Sequence, residues 1–183
     1  MTIFELIDAG DADGVRALLA RDPQSAAAHD DAGLTALMRA SYRGGEVFDA
    51  VREAGPPLEP FDRIIVGESD DLPAPDAWTP DGFTPLHMAA FAHNVAAAAA
   101  LLAAGADPDV LSTASFAQVT PLGTAAFAGA TDVARVLLEH GADPSIAGAG
   151  GGTPLDTAVA NGNEELAELL RAAGGATPPT AAR

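Results

Sequence analysis

The sequence predicts an all-α solenoid in which short helix–turn–helix units stack in a row. Three observations predict it: a repeated Thr-x-Leu core, a second apolar stretch that closes each unit, and a glycine that ends it. A repeat with a period near 33 residues indicates units that bury their apolar faces only against their neighbours. The Thr-x-Leu cores begin at Thr35, Thr84, Thr120 and Thr153.

The residue pattern of each unit predicts the same two helices. Thr precedes the first helix, Pro occupies its first position, where a missing N–H costs nothing, and Leu is the first buried residue. A polar or glycine break follows, and the second helix closes on large aliphatic residues such as Leu101 and Leu102. A glycine then takes the left-handed conformation that ends the helix. These terminal glycines are Gly55, Gly105, Gly141 and Gly174.

The two ends of the chain read differently from the middle. Residues 1–30 repeat the helix pattern without Thr-Pro, which predicts an N-terminal capping unit. A repeat is expected at 31–58, an inserted loop at 59–79, and further repeats at 80–114 and 115–148. A C-terminal cap is expected at 149–176, and the Pro- and Thr-containing tail at 177–183 is expected to be disordered.

These motifs resemble the ankyrin-repeat family. The stretch TPLHMAA at 84–90 is similar to its helix-opening motif, and Gly-Ala-Asp at 105–107 and 141–143 is similar to its post-helix turn. The resemblance covers about residues 1–176 and implies an ankyrin-repeat solenoid of about five units with one long inserted loop. It also implies that His87 makes a structural hydrogen bond to backbone. Met38, Gly123 and Asp156 replace that histidine elsewhere, which predicts weaker ties between those units.

The insertion lies between Gly55 and Thr84 and departs most from the family pattern. Loops of this length without structure of their own are uncommon unless they are functional or disordered. Two arrangements remain open from the sequence. In the first, the apolar residues of the insertion fold back over Tyr42, Phe83 and Phe91. In the second, they leave that surface free for a partner. Both arrangements occur if the insertion is a lid that the partner displaces. The apolar residues concerned are Phe61, Ile64, Ile65, Val66 and Trp78.

Composition restricts the partner. The net charge is −17, with 26 acidic residues against nine basic ones, all of them Arg. A field of that sign repels nucleic acid and anionic membranes and favours a basic protein partner. A GC-rich coding sequence is an alternative reason for the Arg-only, Ala-rich usage. The N-terminus lacks a secretion-signal pattern and no apolar stretch is long enough to span a bilayer, so a cytoplasmic monomer is expected.

No residue pattern predicts catalysis, a cofactor or a metal site. Cysteine is absent, and the histidines are scattered over separate units. The glycine run at 148–152 lacks the Lys and Ser/Thr that complete a phosphate-binding loop. The acidic residues Glu68, Asp70 and Asp71 lack the alternating spacing of a calcium loop. The chain is therefore predicted not to be an enzyme.

The aromatic residues carry the functional prediction. The resemblance implies that two positions in each unit face the binding surface of the solenoid. One is the seventh residue after the Thr, and the other is the residue immediately before the Thr. Aromatic residues and Arg are typical of interface hot spots. We therefore expect a module that binds a basic protein through its groove and finger loops. The alternative is an acidic regulatory, inhibitory or toxin-neutralising protein that acts through the inserted loop. The predicted partner-binding residues are Tyr42, Arg43, Trp78, Phe83, Phe91, Phe116, Val119 and Phe127.

Overall fold

The computed structural model describes residues 1–175, and the predicted disordered tail lies outside this range. The described residues form eleven α-helices and one 3-10 helix, and they contain no β-strand. None of the described helices has both the length and the apolar character needed to cross a bilayer. The helices are α1 (Ile3–Ala9), α2 (Ala12–Arg21), α3 (Ala36–Arg43), α4 (Gly45–Glu53), α5 (Pro60–Ile65), α6 (Pro85–Phe91), α7 (Val95–Ala103), α8 (Pro121–Ala128), α9 (Thr131–Glu139), α10 (Pro154–Ala160) and α11 (Glu164–Ala172); the 3-10 helix is Pro23–Ala27.

Threonine caps start the first helix of the units as the sequence predicts. The hydroxyl oxygens of Thr35 and Thr120 accept hydrogen bonds from the N–H groups three residues later, at 2.9 and 3.1 Å. Such a cap satisfies one of the orphan donors of the first helical turn. Gly105 ends its unit at φ 94°, where a side chain would be strained. These local signals fix where each helix begins and ends.

The helices form two layers. The inner layer contains α1, α3, α6, α8 and α10, and the outer layer contains α2, α4, α7, α9 and α11. Each inner helix packs on the outer helix that follows it, and α6, α8 and α10 pack on one another in a row. The outer helices α7, α9 and α11 form a parallel row behind them. This arrangement confirms the predicted all-α solenoid of stacked helix pairs.

The insertion contains a helix where the sequence analysis expected a loop. Helix α5 packs against both α3 and α6 and stands where these two inner helices would otherwise pack on each other. The Thr35 hydroxyl donates to the carboxylate of Asp62 at 2.6 Å. The side-chain amide of Asn94 donates to the carbonyl oxygens of Ile64 and Glu68, at 3.1 and 2.7 Å. Both ends of α5 are thus hydrogen-bonded to the units on either side.

Two clusters of buried apolar side chains share the interior, and they meet near α5. One cluster belongs to α1–α4, and the other runs from α5 to α11 and includes Leu34 and Met38. Ile64 is fully buried and Ile65 nearly so, both within the second cluster. Phe48 packs against both clusters. Helix α5 is therefore the principal joint between the first two units and the last three.

Candidate functional site

A groove of about 780 Å³ runs along the inner helices and the finger loops, the segments that join one unit to the next. The residues that line it come from α3, α6, α8 and α10, from the segments that precede these four helices, and from Asp8 of α1. They include seven of the eight predicted partner-binding residues. Those seven are Tyr42, Arg43, Phe83, Phe91, Phe116, Val119 and Phe127.

Two rows of apolar side chains line the groove, one on the inner helices and one on the finger loops. The helix row is Tyr42, Phe91 and Phe127, and the finger row is Phe83, Phe116 and Val119. Within the helix row, the rings of Tyr42 and Phe91 meet edge to face with centroids 5.5 Å apart. Within the finger row, the rings of Phe83 and Phe116 lie 5.8 Å apart. The paired rings hold each other in place, so the groove has preformed apolar walls.

The aromatic residues nearest the outer edge remain highly exposed. Phe127 is 69% exposed and Phe116 is 73% exposed. Isolated exposed apolar residues are ordinary, but contiguous apolar patches on a soluble domain mark interaction sites. The two rows form such a patch.

The sequence analysis missed the floor of the groove. The fourth residue after each Thr cap also lines it, one helical turn before the residue of the helix row. Residues three apart on a helix share a face, so this stripe could have been found from the spacing alone. The missed residues are Arg39, Met88, Thr124 and Thr157.

The groove is electrically balanced although the whole chain is strongly acidic. Its charged lining residues are Asp8, Arg39, Arg43 and Asp81, two acidic and two basic. Arg39 pairs with Asp8 at 2.9 Å and with Asp30 at 3.3 Å. The hydrogen bonds that Arg39 donates to the Asp8 carboxylate are the largest influence that raises the pKa of Arg39. All four charges lie at the N-terminal end, so beyond Phe83 the lining carries no formal charge.

Tyr42 stands at the boundary between the charged end and the apolar part. Tyr42 is 37% exposed, and its hydroxyl lies 3.9 Å from the sulfur of Met88 and close to Asp81. Loss of hydration around the hydroxyl raises the pKa of Tyr42 far above its ordinary value, and the Asp81 carboxylate adds to this effect. The phenol therefore stays protonated.

His87 lies beneath the groove and makes the structural hydrogen bond that the resemblance implies. Its Nε2–H donates to the carbonyl oxygen of Val119 at 2.9 Å, and its Nδ1 accepts from the hydroxyl of Thr84 at 2.7 Å. The imidazole is fully buried. Burial lowers the pKa of His87 to about 4, because the charged ring would lose its hydration. His87 ties the third unit to the finger that follows it.

We expect His87 to make the protein sensitive to acid. The unfolded chain binds a proton near the ordinary histidine pKa of 6.5, whereas the native state resists protonation until the pH falls to about 4. The stabilisation that neutral His87 gives the native state is therefore complete above pH 6.5. About 3 kcal/mol of unfolding free energy is lost as the pH falls to 4. Urea unfolding of the native protein and of His87→Gln at several pH values measures this. The difference in unfolding free energy between the two should shrink by about this amount; a constant difference would contradict the assignment.

Trp78 is the predicted residue that the structure does not bring to the groove. It is 43% exposed and lies in a separate recess of about 410 Å³, beside Asp76, Gly105 and Asp107. The neighbouring Thr84 lines that recess, whereas Phe83 lines the groove. The chain between Trp78 and Phe83 therefore separates the two surfaces.

The inserted segment leaves the groove open. No residue from 56 to 80 lines it, so the segment does not fold over Tyr42, Phe83 and Phe91. Its apolar side chains instead pack between the second and third units, with Ile64 and Ile65 in the core and Phe61 against it. Of the two arrangements left open by the sequence, the structure has the uncovered groove.

The acidic part of the insertion is partly neutralised within the segment itself. Arg63 pairs with Glu68 at 2.9 Å and approaches Asp71 at 3.9 Å. All three side chains keep substantial exposure, so each pair contributes little to stability. The pairing reduces the negative field that this segment presents to a partner.

Comparison with known proteins agrees with the fold. A family model described as ankyrin repeats in three copies matches residues 86–180. No curated protein matches the chain. The matched stretch takes in the inner helices α6, α8 and α10 and thus most of the groove.

Proposed function

The chain belongs to the ankyrin-repeat family, and from that premise we propose that it binds a protein partner in its groove and is not an enzyme. Ankyrin repeats indicate a protein–protein interaction module. The observation that carries the proposal is the pair of apolar rows that line the groove, in which Phe116 and Phe127 are highly exposed. Exposed, rigid aromatic side chains that surround a concave surface are typical of interface hot spots.

The charge distribution suggests what the partner presents. The groove beyond Phe83 has no charged lining, so the segment seated there is apolar and uncharged. The excess of acidic residues lies outside the groove, since its own charges cancel. A partner with an apolar segment flanked by basic residues complements both the uncharged groove and the acidic surface outside it. The opposite charges speed association and exclude wrong partners.

The alternative that the chain acts through its inserted segment gains less support. That segment is built into the stack through α5, and its acidic residues are partly paired with Arg63. Deleting residues 68–76 tests it, provided that the helical circular dichroism of the variant is unchanged. Loss of partner capture by a folded variant would favour the insertion over the groove.

Phe127→Ala is expected to weaken partner capture by more than about tenfold, or about 1.4 kcal/mol. Phe127 is 69% exposed, so its removal should leave the fold unchanged. A photoreactive phenylalanine analogue placed at position 127 should crosslink the partner in the native host, and pull-down with the purified partner then gives the affinity. The matched controls are Leu111→Ala and Trp78→Ala, which remove exposed apolar side chains away from the groove. Equal capture by Phe127→Ala and the controls would argue against the groove.

A further inference from the structure

The recess that contains Trp78 is a second concave surface, separate from the groove. It has a volume of about 410 Å³ and lies where the inserted segment meets the C-terminal end of α7. Residues 75, 76 and 78 line it from the insertion, and residues 104–107 line it from the end of α7 and the turn that follows. The groove-binding function does not use this recess.

The indole of Trp78 has no aromatic or cationic neighbour within the chain. Trp78 is 43% exposed and belongs to neither of the two buried apolar clusters. Among residues 1–175, its ring pairs with no other aromatic ring and no cation lies over it. Of the aromatic side chains, tryptophan attracts cations most strongly. An exposed indole beside a recess is therefore available to a cation from outside the chain.

The charged residues of the recess are all acidic. Asp76 and Asp107 line it, both are exposed, and no basic residue of the described range lines it. Neither carboxylate forms an ion pair with any of residues 1–175. One oxygen of Asp107 accepts a hydrogen bond from the N–H of Asp109 at 2.9 Å, and its other oxygen has no partner in the same range. Both carboxylates can therefore accept hydrogen bonds from a bound cation.

The end of α7 adds to the negative potential of the recess. The C-terminal end of a helix carries a partial negative charge, which favours cations nearby. Helices α4 and α11 have Arg52 and Arg171 in their last turns, whereas α7 has no basic residue there. Its C-cap residue, Ala104, lines the recess. A cation bound in the recess would occupy the place that an arginine side chain takes at the ends of the other two helices.

Backbone hydrogen bonds hold both sides of the recess in place. On the insertion side, Asp76 lies in a turn closed by the N–H of Ala77, which donates to the carbonyl oxygen of Ala74 at 2.9 Å. On the other side, the N–H of Ala106 donates to the carbonyl oxygen of Leu101 at 2.9 Å. A surface that is already ordered loses less conformational entropy when it binds. The recess is thus preformed.

We propose that the recess binds the guanidinium group of an arginine side chain that a protein presents at this second surface. The guanidinium plane stacks on the indole of Trp78, and its N–H groups donate to the carboxylates of Asp76 and Asp107. Arginine fits better than lysine, because its flat cation both stacks on aromatic rings and donates in pairs to carboxylates. The excess of acidic residues in the chain attracts such a cation. The proposal goes beyond the groove-binding function and does not depend on it.

The first test titrates the complete protein with N-acetylarginine N-methylamide at low ionic strength. In ¹⁵N NMR spectra, the indole N–H signal of Trp78, the single tryptophan, should shift and saturate, together with the amide signals of Gly105 and Asp107. N-acetylcitrulline N-methylamide is the control ligand, because it has nearly the same shape and no charge. Absence of saturable shifts, or equal binding of the citrulline or the corresponding lysine compound, would overturn the proposal.

The second test removes the two carboxylates. Asp76→Asn combined with Asp107→Asn should weaken binding of the arginine compound by about tenfold. The asparagine at 107 keeps an oxygen for the N–H of Asp109, so the fold should be unchanged. The matched control is Glu46→Gln combined with Glu168→Gln, which removes two charges from exposed positions on α4 and α11. An equal loss of affinity in the control would show that binding follows net charge alone, and the proposal would fail.

The third test separates the recess from the groove. Trp78→Ala should weaken binding of the arginine compound by about two- to fivefold, followed at the amide of Gly105, while capture of the groove partner stays normal. Phe127→Ala should lose partner capture and bind the arginine compound as the native protein does. Normal binding of the compound by Trp78→Ala would exclude the indole from the site. Loss of binding in Phe127→Ala would show that the compound binds in the groove, which would also overturn the proposal.

Discussion

Ile64→Ala is expected to destabilise the protein by about 2–5 kcal/mol and to divide its unfolding into two steps. Ile64 is completely buried in α5, the helix that packs against both α3 and α6. Removing its side chain leaves a cavity at the joint between the two buried clusters. The first two units and the last three then lose part of the contact that makes them unfold together, since stacked repeats are stabilised by each interface separately.

Urea unfolding followed by two signals measures this effect. Circular dichroism reports on all helices, whereas the fluorescence of Trp78, the single tryptophan, reports on the segment between α5 and α6. The two curves should coincide for the native protein and separate for Ile64→Ala. Val159→Ala is the control, because Val159 is 48% exposed and its loss should cost less than about 0.5 kcal/mol. Coincident curves for Ile64→Ala would show that α5 is not the joint.

The architecture could be predicted because its signals are local and repeat in phase. Each Thr cap, each Pro at the first helical position and each terminal glycine acts within one turn of its own helix. Leu86, Leu122 and Leu155 follow these caps and are all buried, as the pattern requires. When the same local signals recur at a fixed period, stacking is the arrangement that buries all the apolar faces.

Helix α5 was missed although its own start signal is present. Pro60 occupies the first helical position, and Asp62 accepts a hydrogen bond from the N–H of Glu59, which together form an ordinary helix start. The six residues of α5 are too few to form an isolated helix in water. The helix exists because Thr35 and Asn94, from different units, bond to its two ends. These partners are distant in sequence, so no local pattern reveals them.

The walls of the groove followed from the repeat, but its chemistry did not. Phe91 and Phe127 occupy equivalent positions in their units, so placing one of them on the groove wall also places the other. That the groove charges cancel depends on Asp8 and Asp81, which come from separate units and meet Arg39 and Tyr42 only after folding. The sequence could not place Trp78 relative to the groove for a similar reason. The insertion has no equivalent in another unit that would fix its direction.

Leu137→Ala is expected to cost about 2–5 kcal/mol, and Leu170→Ala is expected to cost less. Both side chains are completely buried, so the loss of apolar contact is similar for the two changes. Their places in the stack differ. Leu137 belongs to α9, which packs against the outer helices on both sides, α7 and α11. Leu170 belongs to α11, the last described helix, which has a neighbouring unit on one side only.

The matched pair separates the cost of a cavity from the cost of breaking the stack. In Leu170→Ala, the last unit can fray while the others remain folded, so the loss is limited to the stability of that unit. In Leu137→Ala, the weakened interface lies inside the stack and every unit beyond it is affected. Urea unfolding gives the two free energies, and amide hydrogen exchange shows which helices open. Faster exchange should be confined to α10 and α11 in Leu170→Ala and should extend to α8 and α9 in Leu137→Ala. Equal losses with uniform exchange would mean that the units fold as a single block, because independent stacking cannot make an end and a middle position equivalent.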